Sequence, residues 1–205
     1  MQPSLLPQLD NHRIAQQLQF ILEIDKLKAV LRQTLLCDRS RQENSAEHSW
    51  HIAMMALLLE EYAPQPVNLL HVVKLLLVHD LVEIDAGDTF CYDPSGNQTK
   101  ADREVQAADR LFGLLPTDLG QDLRDCWDEY EAQTTADAQF AKALDCLQPF
   151  LNNLQTDGHT WRLYGISETQ VRDRMTAVKI GTPALWPVIE QGIQNAIAAG
   201  VLKAA

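Results

Sequence analysis

Residues 68–88 read NLLHVVKLLLVHDLVEIDAGD, and between Leu69 and Ile84 the run is apolar on almost every side. A helix that carries only a stripe of apolar residues lies on a surface, whereas one that is apolar all round is packed on all sides. Lys74, His79 and Asp80 interrupt the run well short of the roughly 20 residues a membrane span requires. The stretch therefore predicts a buried helix of a soluble protein, capped by Asn68 and stopped at Gly87. Into that core the sequence inserts His79, Asp80 and Glu83. A buried carboxylate is costly unless it is paired or bound to a metal. The partner that best satisfies an adjacent imidazole and carboxylate is a divalent cation.

Working outward, helical spacing of apolar residues predicts helices over 12–32, with a break around Asp25, and from Asn44 or Ser45 to Tyr62, where His48, Ile52, Met55 and Leu59 share a face. Further helices are expected over 100–115, 121–132, 136–154, 167–178 and 183–199, with Asp145 beside the stripe Phe140, Leu144, Leu147 and Leu151. Residues 33–44 and 88–99 read as loops. No run of period two stands out, so the expected class is all-α. With 205 residues, 46% of them hydrophobic, and no Gly/Ser/Pro-rich linker, one domain is expected.

A net charge of −11 and a pI near 4.9 disfavour binding to duplex nucleic acid, which needs clustered Lys and Arg, but leave room for a small anionic substrate. Cys37, Cys91, Cys126 and Cys146 are scattered, with no zinc-ribbon or redox spacing, and read as reduced thiols. The first residues, MQPSLLPQLDNHR, lack a basic head followed by a long apolar segment. The expected location is cytoplasmic.

His48, the contiguous His79-Asp80 and the distant Asp145 form a mixed nitrogen and oxygen donor set suited to manganese, iron, cobalt, nickel or zinc. Their order, together with the strings Arg41-Gln-Glu43-Asn44-Ser-Ala-Glu47-His48 and His79-Asp80-Leu-Val-Glu83-Ile-Asp-Ala-Gly87-Asp88, resembles the HD-domain metal-dependent phosphohydrolases. The branch it resembles contains the bacterial 5′-deoxynucleotidases and their eukaryotic relatives. The match runs over roughly residues 28–154, leaving C-terminal helices over 160–205 outside it.

The resemblance implies an HD-domain helical bundle holding one divalent metal ion, magnesium included among the candidates. His48, His79, Asp80 and Asp145 become the ligands, Glu83 an acid/base group one turn beyond His79, and Asp88 a catalytic residue close to the substrate. It further implies hydrolysis of a phosphate monoester, a nucleoside or deoxynucleoside 5′-monophosphate, by metal-activated water, and a homodimer. In the deoxynucleotidases an arginine upstream of the first histidine grips the phosphate and is followed by a tryptophan. Here Arg32 stands one residue out of register and Gln33 follows it, while Arg41 aligns in register as an alternative phosphate ligand. The rival readings are hydrolysis of a cyclic nucleotide or an alarmone, and a non-catalytic module that binds a nucleotide or metal. His51 reads as a partner of a ligand or a plain histidine, and His12, His71 and His159 as structural. Trp50, Trp127, Trp161 and Trp186 read as core or interface.

Overall fold

The computed structural model describes residues 11–203. The polar lead before Asn11 lies outside them. Asn11 caps α1 (His12–Ile24), which gives way at Asp25 to a short 3-10 turn, Asp25–Ala29. Residues expected to be helix and loop then form an antiparallel hairpin, β1 (Leu31–Leu35) and β2 (Gln42–Asn44), with Leu31 opposite Asn44 and Leu35 opposite Gln42. Polar residues hide these strands from a hydrophobic pattern, because their inward positions are occupied by Arg32 and Glu43 rather than by apolar side chains.

Asn44 opens α2 (Ser45–Leu59) with a capping box: its side chain accepts from Glu47 N–H while Glu47 reaches back to the Asn44 N–H. Asn68 caps α3 (Leu69–Val78) as expected. The central stretch is not one helix, however. It breaks at His79–Val82 into turns and resumes as α4 (Glu83–Ala86), ending at Gly87 with φ +74°. A run that is apolar all round carries no phase, so its periodicity does not reveal where the axis turns.

Asp93 and Pro94 start α5 (Pro94–Phe112), six residues earlier than its apolar pattern suggests. Next come α6 (Thr117–Ala132), α7 (Ala136–Gln155), α8 (His159–Tyr164), α9 (Glu168–Gly181) and α10 (Trp186–Ala198). Helix α7 is the hub and packs against α2, α3, α6 and α9. Its Phe140, Ala141, Leu144 and Leu147 meet Ile52, Leu75 and Leu76 in the core. Gly181 lets α9 approach closely, since a Cβ there would stand 2.2 Å from the Gln139 carbonyl oxygen. The architecture is all-α with one small hairpin laid across it.

Candidate functional site

Three elements bring the expected ligands together: α2 supplies His48, the break after α3 supplies His79 and Asp80, and α7 supplies Asp145. Each imidazole has its proton placed by a neighbour. His48 Nδ1–H donates to Gln148 Oε1 at 3.0 Å, and Gln148 Nε2 in turn donates to Glu43 Oε1 at 2.7 Å. His79 Nδ1–H donates to the Leu76 carbonyl at 2.8 Å, a contact that the helix end makes available. Both Nε2 lone pairs are thereby turned to one point.

What they face is an acceptor. His48 Nε2 lies 3.1 Å from Asp145 Oδ1, and His79 Nε2 lies 4.0 Å from the same oxygen and 2.9 Å from Asp80 Oδ1. His79 Nε2 is fully buried with no hydrogen-bond partner among the described residues. Lone pairs aimed at carboxylate oxygens repel unless a cation stands between them. Donor atoms of His48, His79 and Asp145 lie within 4.8 Å of one another, so the donor set fits one divalent ion, with Asp80 alongside. Burial and Arg32 oppose protonation of His48, yet Asp145 and Glu43 outweigh them and raise its pKa. The same carboxylates attract a metal ion.

The carboxylates carry their own counter-ions. Asp80 Oδ2 accepts from Arg32 Nη1 at 3.0 Å, and Arg32 also stands 3.7 Å from Asp88 and from Glu43. Asp145 Oδ2 accepts from Tyr130 Oη at 2.9 Å, Lys142 Nζ at 2.8 Å and Arg174 Nη2 at 3.4 Å. Burial works against ionisation of both, but the cations and imidazoles hold Asp80 and Asp145 below the usual carboxylate range.

Glu83 behaves in the opposite way. Burial, reinforced by repulsion from Asp80, lifts its pKa well above the usual value, and Ser45 Oγ donates to its Oε2 at 2.6 Å. Burial likewise raises Asp88. Both line a cavity of about 150 Å³ that His79, Asp80 and Asp145 also line.

Arg32, on β1, lines this cavity beside Asp80. Arg41 is not brought to the site: it lies near the hairpin turn, half exposed, with Nη1 and Nη2 on Glu47 at 2.9 and 2.5 Å. Arg41 stands just before β2 and is absent from the cavity lining. His51 reaches Gln148 at 3.2 Å, beside the histidine network, while His71 bonds Glu129 on α6. Of the tryptophans, Trp127 and Trp161 are buried and Trp50 is 63% exposed.

Tyr130, Lys142 and Arg174 line the cavity without having been singled out in the sequence, and Trp161, read there as core or interface, lines it too. Only Lys142 carried a readable signal, three residues before Asp145 on the same helix face. The others arrive from α6, α8 and α9 through tertiary packing.

A profile of the HD domain matches residues 24–186. The curated human protein 5′-deoxynucleotidase HDDC2 is 34% identical over 135 residues, 65% of this chain and 65% of that protein. The cattle protein of the same name is 36% identical over 129 residues, 62% of each chain. The matched stretch thus spans just under two thirds of these relatives' length. A crystal structure titled predicted metal-dependent phosphohydrolase from Magnetospirillum magnetotacticum MS-1 superposes with a TM-score of 0.91 at 48% identity, covering 97% of this chain and 100% of that one. A conserved hypothetical protein from Pyrococcus furiosus, 22% identical with a TM-score of 0.56 over 85% of this chain and 98% of that one, shares the fold. With a profile match over most of its length and the paired imidazoles and carboxylates in the family's order, the chain belongs to the HD-domain family.

Proposed function

We propose that this chain is a metal-dependent phosphomonoesterase acting on a nucleoside or deoxynucleoside 5′-monophosphate. The observation that carries the reading is the pair of Nε2 lone pairs aimed at Asp145 and Asp80 beside a buried, high-pKa Glu83. The names of the human and cattle relatives support the substrate class.

His48, His79, Asp80 and Asp145 would hold the ion. A divalent cation there supplies Lewis acidity at a phosphoryl oxygen and lowers the pKa of a bound water. Glu83, kept protonatable by burial, takes the proton of the attacking water and returns it to the leaving alkoxide. Arg32 neutralises phosphate charge, and Asp88, 3.7 Å from it, fixes that guanidinium and meets the substrate. The donor set suits manganese, iron, cobalt, nickel, zinc or magnesium; the presence of one such cluster among the described residues favours a mononuclear site over the dinuclear site of a cyclic-dinucleotide hydrolase.

As part of the same reading, the chain acts as one cytoplasmic domain. No helix of the described residues is long and apolar enough to cross a membrane. Homodimerisation is supported by apolar residues left exposed on α2 and α3, among them Leu58 and Leu70 at 70% and 80%.

The test is phosphate release from a panel of ribo- and deoxyribonucleoside 5′-monophosphates, using chelated protein reloaded with manganese, cobalt or magnesium and Asp80→Ala as control. Metal-dependent release lost in the variant is the expected result. Release with no metal, or none with any metal, overturns it.

A further inference from the structure

Cations in the cavity are neutralised unequally. Arg32 stands among three carboxylates, Asp80 at 3.0 Å and Asp88 and Glu43 at 3.7 Å. Lys100 lies 3.5 Å from Glu104. Lys142 and Arg174, by contrast, share a single oxygen, Asp145 Oδ2, at 2.8 and 3.4 Å, and Tyr130 Oη already donates to it at 2.9 Å. The other oxygen of Asp145 faces the imidazoles. Two full positive charges therefore rest on half of one carboxylate, in a setting where uncompensated charge is costly.

Arg174 is the less committed of the two. Its one long hydrogen bond to Asp145 is its only side-chain bond to the described residues, and its side chain is 31% exposed. On the same helix Arg172 is fully engaged, with Glu168 and Glu190 each at 2.7 Å. A guanidinium offers five N–H donors in a planar fork that matches phosphate, and an ammonium beside it adds a point charge. Arg174 borders both the cavity and, with Cys91, Tyr92 and Asn97, a shallow surface groove. Arg32 reaches the centre through Asp80 and the Lys142–Arg174 pair through Asp145, so the two cationic positions rest on different carboxylates of the cluster.

We infer that Lys142 and Arg174 form a second anion subsite, distinct from the one at Arg32, and that the preferred substrate is a nucleotide carrying a further phosphate besides the one that is cleaved. This rests on the phosphohydrolase reading and narrows its substrate class. A single charge-assisted bidentate contact corresponds to a preference of about tenfold or more.

The experiment compares kcat/KM of the manganese-loaded protein for adenosine 5′-monophosphate with that for adenosine 2′,5′- and 3′,5′-bisphosphate. The expected result is a preference of about tenfold or more for at least one bisphosphate. In Arg174→Gln the ratio of bisphosphate to monophosphate falls to near one, while Arg172→Gln keeps the parent ratio. Arg174→Lys, which keeps the charge and loses the fork, gives an intermediate ratio and serves if the glutamine variant does not fold. A parent ratio near one overturns the subsite, and so does an equal loss on both substrates, which would make the pair a holder of the reacting phosphate alone. If no nucleotide is hydrolysed, calorimetric binding of the same three nucleotides separates the two ideas. Tighter bisphosphate binding that disappears in Arg174→Gln upholds the subsite while the phosphohydrolase reading falls, and equal affinities overturn the subsite itself.

Discussion

Gln148→Met is the substitution that most directly tests how the site is held. Gln148 is 1% exposed and makes three contacts, to His48 Nδ1 at 3.0 Å, Glu43 Oε1 at 2.7 Å and His51 Nδ1 at 3.2 Å. Methionine has nearly the same volume, so little cavity is created, but the His48 N–H and the Glu43 carboxylate lose their partners. Each buried group left unsatisfied costs about 1–3 kcal/mol, so the variant should lose about 2–6 kcal/mol. That is a large share of the roughly 5–15 kcal/mol typical of a folded protein. The freed imidazole can also turn its proton toward the ligand side, and losing such an orienting partner lowers metal affinity by about 10–100-fold. Urea denaturation of chelated protein reads the first effect, and competition against a chromogenic chelator reads the second. Gln148→Glu separates them: its carboxylate still accepts from His48 Nδ1–H and keeps the metal, but repulsion from Glu43 lowers stability. A folded Gln148→Met that binds metal as tightly as the parent would refute the argument that Gln148 fixes the tautomer.

Further expectations follow from the same geometry. Glu83→Gln should lower kcat by about 10²–10⁴-fold while a chelator competition shows the metal still bound, since Glu83 lies beside the ligands rather than among them. Metal at about 100 times its Kd should stabilise the parent by about 2.7 kcal/mol, seen as a raised melting temperature that His79→Ala abolishes. Gly181→Ala should cost about 1–3 kcal/mol in urea denaturation, because the new Cβ would stand 2.2 Å from Gln139 O and 2.8 Å from Ala143 Cβ. Arg41→Ala should leave KM and kcat unchanged in steady-state assays, its Glu47 partner being on the surface and not in the cavity.

Helix α7 was legible in the sequence through its apolar stripe, and α2 through the cap at Asn44 that marks its start. The candidate metal cluster was legible for a different reason: His79 and Asp80 in a core run announce an unmet charge, and the family order adds His48 and Asp145. What stayed hidden depends on tertiary context. The break at His79–Val82 lies in a run with no polar face to mark it. The hairpin turns two polar residues inward, Arg32 to the cavity and Glu43 to Gln148, where no apolar pattern marks them. Arg41 fitted the family spacing, yet its guanidinium pairs with Glu47 outside the cavity. Arg174 sits among ordinary helix residues, and nothing in that stretch marks its approach to Asp145 from α9.

The counter-ions at Asp80 and Asp145 bear on how a metal ion would load into the proposed site. Arg32 and Lys142 already hold these carboxylates, so the ligand cage keeps its shape without the ion and need not assemble around it. An arriving cation must weaken attractions that are already in place, which offsets part of its affinity. Binding would then draw on a preformed cage rather than on refolding, at a reduced affinity. For such a site, occupancy follows the ratios of free ions in the surroundings, and those ratios select among the metals the donor set tolerates.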